Sequence, residues 1–239
     1  MTELNNQAAN NVKQRDHFRI KVCGLTNVKQ VSQLNEIGIE FAGFNFYRRS
    51  PRYVYKSMPS TAIKKMRGKI NKVGVFVDED VDEVLRTVDD CGLYLVQLHG
   101  NESPRYCEKI SNYITVIKAF RLSSDDNVEW KIKDYYDAAD MFLFDTETPA
   151  FGGSGKKFNW QILKDVLINK PFFLAGGISP EDADEIKKFA AHAVAKDLFA
   201  IDINSKFELM PGVKDIELVK AFRKRLSDPL LPNLFEENI

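Results

Sequence analysis

One thiol, two carboxyl groups, an imidazole and a cluster of arginines stand at or just beyond short apolar runs in this 239-residue chain. Cys23-Gly24 follows Phe18–Val22, and Tyr47-Arg-Arg-Ser-Pro-Arg-Tyr53, which contains Arg52, follows Phe41–Phe46. Gln97-Leu98-His99-Gly100 closes the run that begins at Tyr94. Asp145 follows Met141–Phe144, Gly176-Gly177 follows Phe172–Ala175, and Asp202, with Asn204 and Ser205 behind it, lies in Ala200–Ile203. A thiolate can act as a base, and a carboxyl group can give or take a proton. An arginine fork suits a carboxylate. A glycine turn before a helix start presents backbone amides to phosphate.

Each residue alone also has a plainer reading. A cysteine at a strand end is usually a small buried hydrophobe, and an aspartate there is often a cap. A histidine can serve the core as readily as a substrate, and an arginine run can be a solvated loop face. The convergence of all of them on one end of a sheet favours chemistry. Gly152-Gly-Ser-Gly-Lys-Lys157 resembles a phosphate loop but lacks its first glycine, and Lys157 stands where Ser or Thr is required. Phe151–Gly155 is therefore expected to be a lid over the strand ending at Asp145.

The elements that position these residues follow from the spacing. Eight apolar runs (Phe18–Val22, Phe41–Phe46, Lys72–Val77, Tyr94–Leu98, Ile114–Phe120, Met141–Phe144, Phe172–Ala175, Ala200–Ile203) are short and continuous, as in buried parallel strands. Helical spacing predicts helices at Asn27–Ile37, Asp80–Asp90, Arg105–Ile110, Asn159–Leu167, Ser179–Phe189 and Lys214–Leu226. Ser103-Pro104 and Ser179-Pro-Glu-Asp182 carry start signals. Strict β-then-α alternation at this length predicts an α/β fold, a single-domain (β/α)8 TIM barrel over residues 18–227. Residues 1–17 are expected to be a disordered leader and 228–239 a tail. Function in such a barrel belongs at the C-terminal strand ends.

Lys plus Arg and Asp plus Glu are both 34, so the formal net charge is zero, which argues against broad binding to nucleic acid or anionic lipid. No apolar run reaches the length of a membrane span. The three cysteines lack C-x-x-C spacing and the three histidines lack H-x-x-x-H spacing, so no disulfide framework or zinc site is expected and a cytoplasmic setting fits.

The motifs together resemble the phosphoribosylanthranilate isomerase family of tryptophan biosynthesis. The matching stretches are Lys21-Val-Cys-Gly-Leu-Thr26, Gly43-Phe-Asn-Phe-Tyr47 with Ser50-Pro-Arg-Tyr53, and Val96-Gln-Leu-His-Gly100. Asp145-Thr-Glu-Thr-Pro149 with Gly152-Gly-Ser-Gly155 and Phe158-Asn-Trp160, then Ala175-Gly-Gly-Ile178 and Pro211-Gly-Val-Lys-Asp215, complete the set. The resemblance implies an Amadori rearrangement with Cys23 as general base and Asp145 as general acid. It implies Arg52 on the anthranilate carboxylate and Gly176, Gly177 and Ser205 at the phosphate. Gln97, His99, Asp202 and Asn204 complete the expected substrate contacts.

No cofactor or metal is implied, and the partner is a small phosphoribosyl substrate, bound by a monomer or homodimer. The roles require a carboxyl group held above its ordinary range and a thiol held below its own, with positive charge from Arg52 and the phosphate-binding amides tuning both. Lys206 stands where the family has a glycine in a phosphate-contacting turn. Two alternatives remain: another phosphosugar isomerase barrel, against which Cys23 in place of a first aspartate argues, and a non-catalytic phosphosugar-binding barrel, against which retention of Cys23 and Asp145 argues.

Overall fold

A computed structural model describes residues 17–146, 159–164 and 166–229. Eight parallel strands close into a barrel in sequence order: β1 (Ile20–Val22), β2 (Phe41–Asn45), β3 (Asn71–Phe76), β4 (Leu95–Leu98), β5 (Thr115–Leu122), β6 (Met141–Thr146), β7 (Phe172–Leu174) and β8 (Leu198–Ile203). The seam pairs β1 with β8, Lys21 opposite Asp202. A short antiparallel hairpin, β9 (Glu208–Met210) and β10 (Val213–Lys214), follows β8.

Seven α-helices among the described residues wrap the barrel: α1 (Val28–Glu36), α2 (Ser60–Lys65), α3 (Val81–Cys91), α4 (Pro104–Ser111), α5 (Val128–Ile132), α6 (Ala183–Ala190) and α7 (Ile216–Ser227). The start signals act as the sequence suggests. Ser103 accepts a hydrogen bond from Tyr106 N, and Ser179 and Asp182 form a capping box before α6. Among these residues no helix is long and apolar enough to cross a membrane.

Two stretches depart from the periodicity. Among the described residues of the helix expected over Asn159–Leu167 there is only a 3-10 turn, Trp160–Leu163, with Trp160 and Leu163 buried. The helix expected from Lys214 starts two residues later, because Lys214 belongs to β10 and Asp215 supplies the cap to Leu218 N. The strict alternation is therefore interrupted by a hairpin between β8 and α7.

Side chains alternate between two cores. Phe41, Val73, Leu95, Ile117, Ala119, Leu143, Phe173, Ala175 and Ala200 fill the barrel itself. Their strand neighbours, such as Ala42, Val96, Val116, Phe142 and Leu174, face the helices. The rings of Phe41 and Phe199 flank Phe173 at 5.6 and 5.5 Å and fill the interior by edge contacts. The same alternation turns Lys21, Cys23, Arg121, Asp145 and Asp202 inward, above this apolar packing.

Candidate active site at the barrel mouth

Cys23 follows β1 directly, anchored by its own N–H to Ile203 O at 2.9 Å. Beside it on β2 lies Gly43, and a Cβ there would sit 3.0 Å from the thiol sulfur and 3.2 Å from Lys21 Cε. A residue with a side chain at this point would displace one or the other. Lys21 is fully buried and donates to Asp202 Oδ2 at 2.8 Å. The second oxygen of Asp202 is buried without a hydrogen-bond partner among the described residues. An orphaned carboxylate oxygen is costly in a core, and this one has valence open to a donor.

Electrostatics around the thiol corrects one expectation. Burial pushes the Cys23 thiol above its ordinary value, Lys21 and Lys214 draw it back, and Asp202 adds to the rise. The low thiol value expected from the chemistry is therefore absent here, because desolvation outweighs two nearby cations. Those cations are Lys21 and Lys214, not Arg52. Lys21 loses to burial, but the carboxylate of Asp202 and the thiol together hold its ammonium above the usual range. Burial likewise raises the Asp202 carboxyl; Lys21 opposes that rise and Asp145 adds to it.

Asp145 lies opposite Arg121 in the β5–β6 register. Its Oδ1 accepts from Thr146 N at 2.7 Å, and Oδ2 sits 3.2 Å from His99 Nε2. Its side chain is 28% exposed. Gln97 Nε2 lies 2.7 Å from His99 Nδ1, so Gln97, His99 and Asp145 form one polar chain across β4 and β6. Gly176 closes behind the acid. Its φ is +89°, and a Cβ would meet Thr146 Oγ1 at 2.4 Å and Asp145 Oδ1 at 3.3 Å. Only glycine permits that approach.

Arg52 is buried, and its Nε and Nη2 grip Glu208 at 2.6–3.1 Å. Among the described residues its side-chain hydrogen bonds run through Nε and Nη2. Glu208 also takes Lys214 Nζ at 2.7 Å and Gly212 N at 3.0 Å. Burial opposes its ionisation, yet Arg52 and Lys214 hold its carboxyl below the usual range. Lys214 reaches Asn204 Oδ1 at 2.7 Å as well, and burial lowers its ammonium to about 8. The hairpin thus clamps the loops after β2 and β8. In the sequence, Lys21 and Lys214 lie within the matching motifs, but neither they nor Glu208 stand out as site residues. The legible signal was a lysine two residues before the cysteine in one short strand, hence on the same face.

Gly177 has φ +66° and leads through Ser179 to α6. It shares an open cleft with Ser179, Pro180, Glu181, Lys206 and Leu218. Lys206 is exposed and sits in a 3-10 turn opened by half-buried Ser205. Its φ is not positive, so the lysine occupies the turn without strain. The expected lid, Phe151–Gly155, lies outside the described residues.

A thiol, carboxyl groups and an imidazole gathered at the C-terminal mouth of a closed eight-stranded barrel place the chain among the (β/α)8 barrel enzymes. Residues 20–225 match the sequence model of the N-(5'phosphoribosyl)anthranilate (PRA) isomerase family. The N-(5'-phosphoribosyl)anthranilate isomerase of Parabacteroides distasonis is 37% identical over 214 residues, spanning 88% of this chain and 94% of that protein. The phosphoribosyl anthranilate isomerase structure from Thermotoga maritima superposes with a TM-score of 0.75 at 33% identity, covering 87% of this chain and 98% of that one. A further structure of the enzyme, solved with reduced 1-(o-carboxyphenylamino)-1-deoxyribulose 5-phosphate, gives a TM-score of 0.70 at 30% identity, covering 87% and 98%. The chain belongs to the phosphoribosylanthranilate isomerase family.

Proposed function

We propose that this chain converts N-(5-phosphoribosyl)anthranilate to 1-(2-carboxyphenylamino)-1-deoxyribulose 5-phosphate, the isomerisation step of tryptophan biosynthesis. The observation that carries this reading is the placing of an inward thiol and an inward carboxyl, Cys23 and Asp145, on one mouth, both within electrostatic reach of Asp202.

In this mechanism the anilino nitrogen pushes its lone pair toward C1, the C1–O bond of the furanose breaks, and the ring oxygen takes the proton of Asp145. The Cys23 thiolate then removes the proton from C2. The C–H electron pair becomes the C1–C2 double bond and the iminium electrons return to nitrogen. Ketonisation adds a proton at C1 and releases one from the C2 hydroxyl, so no oxidant, metal or cofactor enters.

Arg52 meets the anthranilate carboxylate through its Nη1 edge, with Glu208 holding the other side of the fork. Gly176, Gly177 and Ser205 offer amides to the phosphate, and exposed Lys206 adds a positive charge beside that turn. His99, braced by Gln97, orients Asp145. Asp202, through its open oxygen, and Asn204 face the sugar. In this reading the enzyme acts in the cytoplasm, as a monomer or homodimer.

The deciding experiment is the loss of anthranilate fluorescence when the purified chain meets freshly prepared substrate. Turnover to the ketosamine is expected; binding without turnover would leave a phosphosugar-binding barrel, and turnover of only an aminoimidazole ribosyl phosphate would make it a different isomerase.

A further inference from the structure

Lys21 is an ammonium group sealed inside a barrel, where burial of a charge is unfavourable unless something compensates it. Its bond to Asp202 uses one of three N–H donors. The thiol lies beside it: Cys23 is two residues on along the same inward face, and a Cβ at Gly43 would sit 3.2 Å from Lys21 Cε and 3.0 Å from Cys23 Sγ, so the two side chains meet over that glycine. Three charged groups act on the thiol from the elements packed about it: Lys21 on its own strand, Asp202 on β8 and Lys214 on β10. β2 contributes Gly43, which has no charge. Lys214 is bound to Glu208 and Asn204; of the two lysines it is Lys21 that packs beside the sulfur at Gly43 and acts on it more strongly.

We propose that Lys21 is the positioning residue for Cys23, a fixed positive charge that holds the thiolate in place for proton abstraction at C2. It touches no reacting atom and acts through the sulfur. The inference rests on the reading of Cys23 as the base, but its test does not depend on turnover. Iodoacetamide alkylates thiolate rather than thiol, and peptide mass spectrometry separates Cys23 from Cys91 and Cys107.

The alkylation rate of Cys23 is measured against pH in the full-length wild type, Lys21→Met and Lys21→Arg. An opposite charge at a few ångströms lowers a thiol by about 1–3 pH units. The midpoint in Lys21→Met is therefore expected to rise by at least about one unit, and in Lys21→Arg, which keeps the charge, to remain near wild type. The acid limb of kcat/KM should follow the same order. A folded Lys21→Met with the wild-type midpoint overturns the proposal, as does a Lys21→Arg that shifts as far as Lys21→Met, since packing would then be responsible. If Lys21→Met fails to fold because Asp202 is left bare, Lys21→Met/Asp202→Asn removes both charges. A rise is still expected there, because the lysine acts on the thiol more strongly than the aspartate does, and an unmoved midpoint overturns the proposal. Full turnover in Cys23→Ser would instead remove the base and leave the alkylation result standing.

Discussion

Two buried lysine–carboxylate pairs of nearly equal length lie on opposite faces of the same sheet. Lys118 and Glu102 meet at 2.7 Å in the layer between barrel and helices; Lys21 and Asp202 meet at 2.8 Å inside the barrel. The outer pair is saturated. Lys118 also donates to Gly100 O, and both oxygens of Glu102 accept backbone N–H bonds from Asp78 and Gly100. The inner pair leaves one carboxylate oxygen without a partner among the described residues, with the ammonium beside a thiol. Equal burial and equal chemistry thus separate by valence: the outer pair is complete within the fold, and the inner one, in the proposed function, leaves its open valence to the substrate.

The sharpest way to break this comparison is to give each carboxylate the same substitution. Glu102→Gln puts an amide NH2 against N–H donors and leaves Lys118 charged in the core, so a loss of roughly 3–5 kcal/mol in urea unfolding is expected, with kcat/KM intact in the folded fraction. In Asp202→Asn the remaining oxygen can still accept from Lys21 while the NH2 occupies the open side. Lys21 is likewise left charged in the core, but among the described residues no N–H donor opposes the new NH2, so the stability loss should be smaller than for Glu102→Gln, while kcat/KM should fall roughly tenfold or more. If the two variants melt alike, the distinction by valence fails.

Next in size are the proton-transfer groups. Cys23→Ser and Asp145→Asn should each lower kcat at least about a hundredfold while keeping product affinity, measured by single turnover and titration on one preparation. A mutant at 145 that turns over normally but melts lower would make Asp145 a cap. For Arg52→Ala, loss of one charge-assisted bond of about 1.5–3 kcal/mol should raise KM more than it lowers Tm; an unchanged KM with a collapsed melting curve would make the Arg52–Glu208 pair a purely structural clamp.

The smallest effect concerns the hairpin. The Glu208 carboxyl is held below its ordinary 4.5. The stability it contributes is complete above about pH 4.5 and is lost as pH falls through its lower folded value. Glu208→Gln should therefore lose this acid-side step: its stability difference from wild type should be constant near neutrality and shrink below about pH 4.5. Parallel curves down to about pH 2.5 would show that Glu208 is not the group responsible.

The strands were legible because all eight are continuous apolar runs, and Cys23, Asp145 and Asp202 were legible because strand ends in a parallel barrel share one mouth. α2 and α5 escaped the periodicity: at six and five residues they are too short to establish a 3.6-residue repeat. The hairpin escaped for a different reason. Its strands have three and two residues, and Leu209 and Met210 are exposed, so no apolar face announces it. Nothing in the sequence signals the burial of Glu208 and Lys214, because it depends on a clamp that spans distant loops. The low thiol value expected of a cysteine base did not appear, since residue type cannot show how strongly the barrel interior desolvates it.

The seam between β1 and β8 has a kinetic consequence. Lys21 and Asp202, bonded across it, are 181 residues apart in sequence, so bringing them together closes a very long loop, and such contacts are slow to form. Two groups of the proposed site straddle that join, with the thiol of Cys23 just after the first strand and the carboxylate of Asp202 on the last. During refolding, helical signal and most strand pairing can return while the enzyme stays silent. Recovery of turnover should then time the closing of the barrel, making activity a stopwatch for its last join.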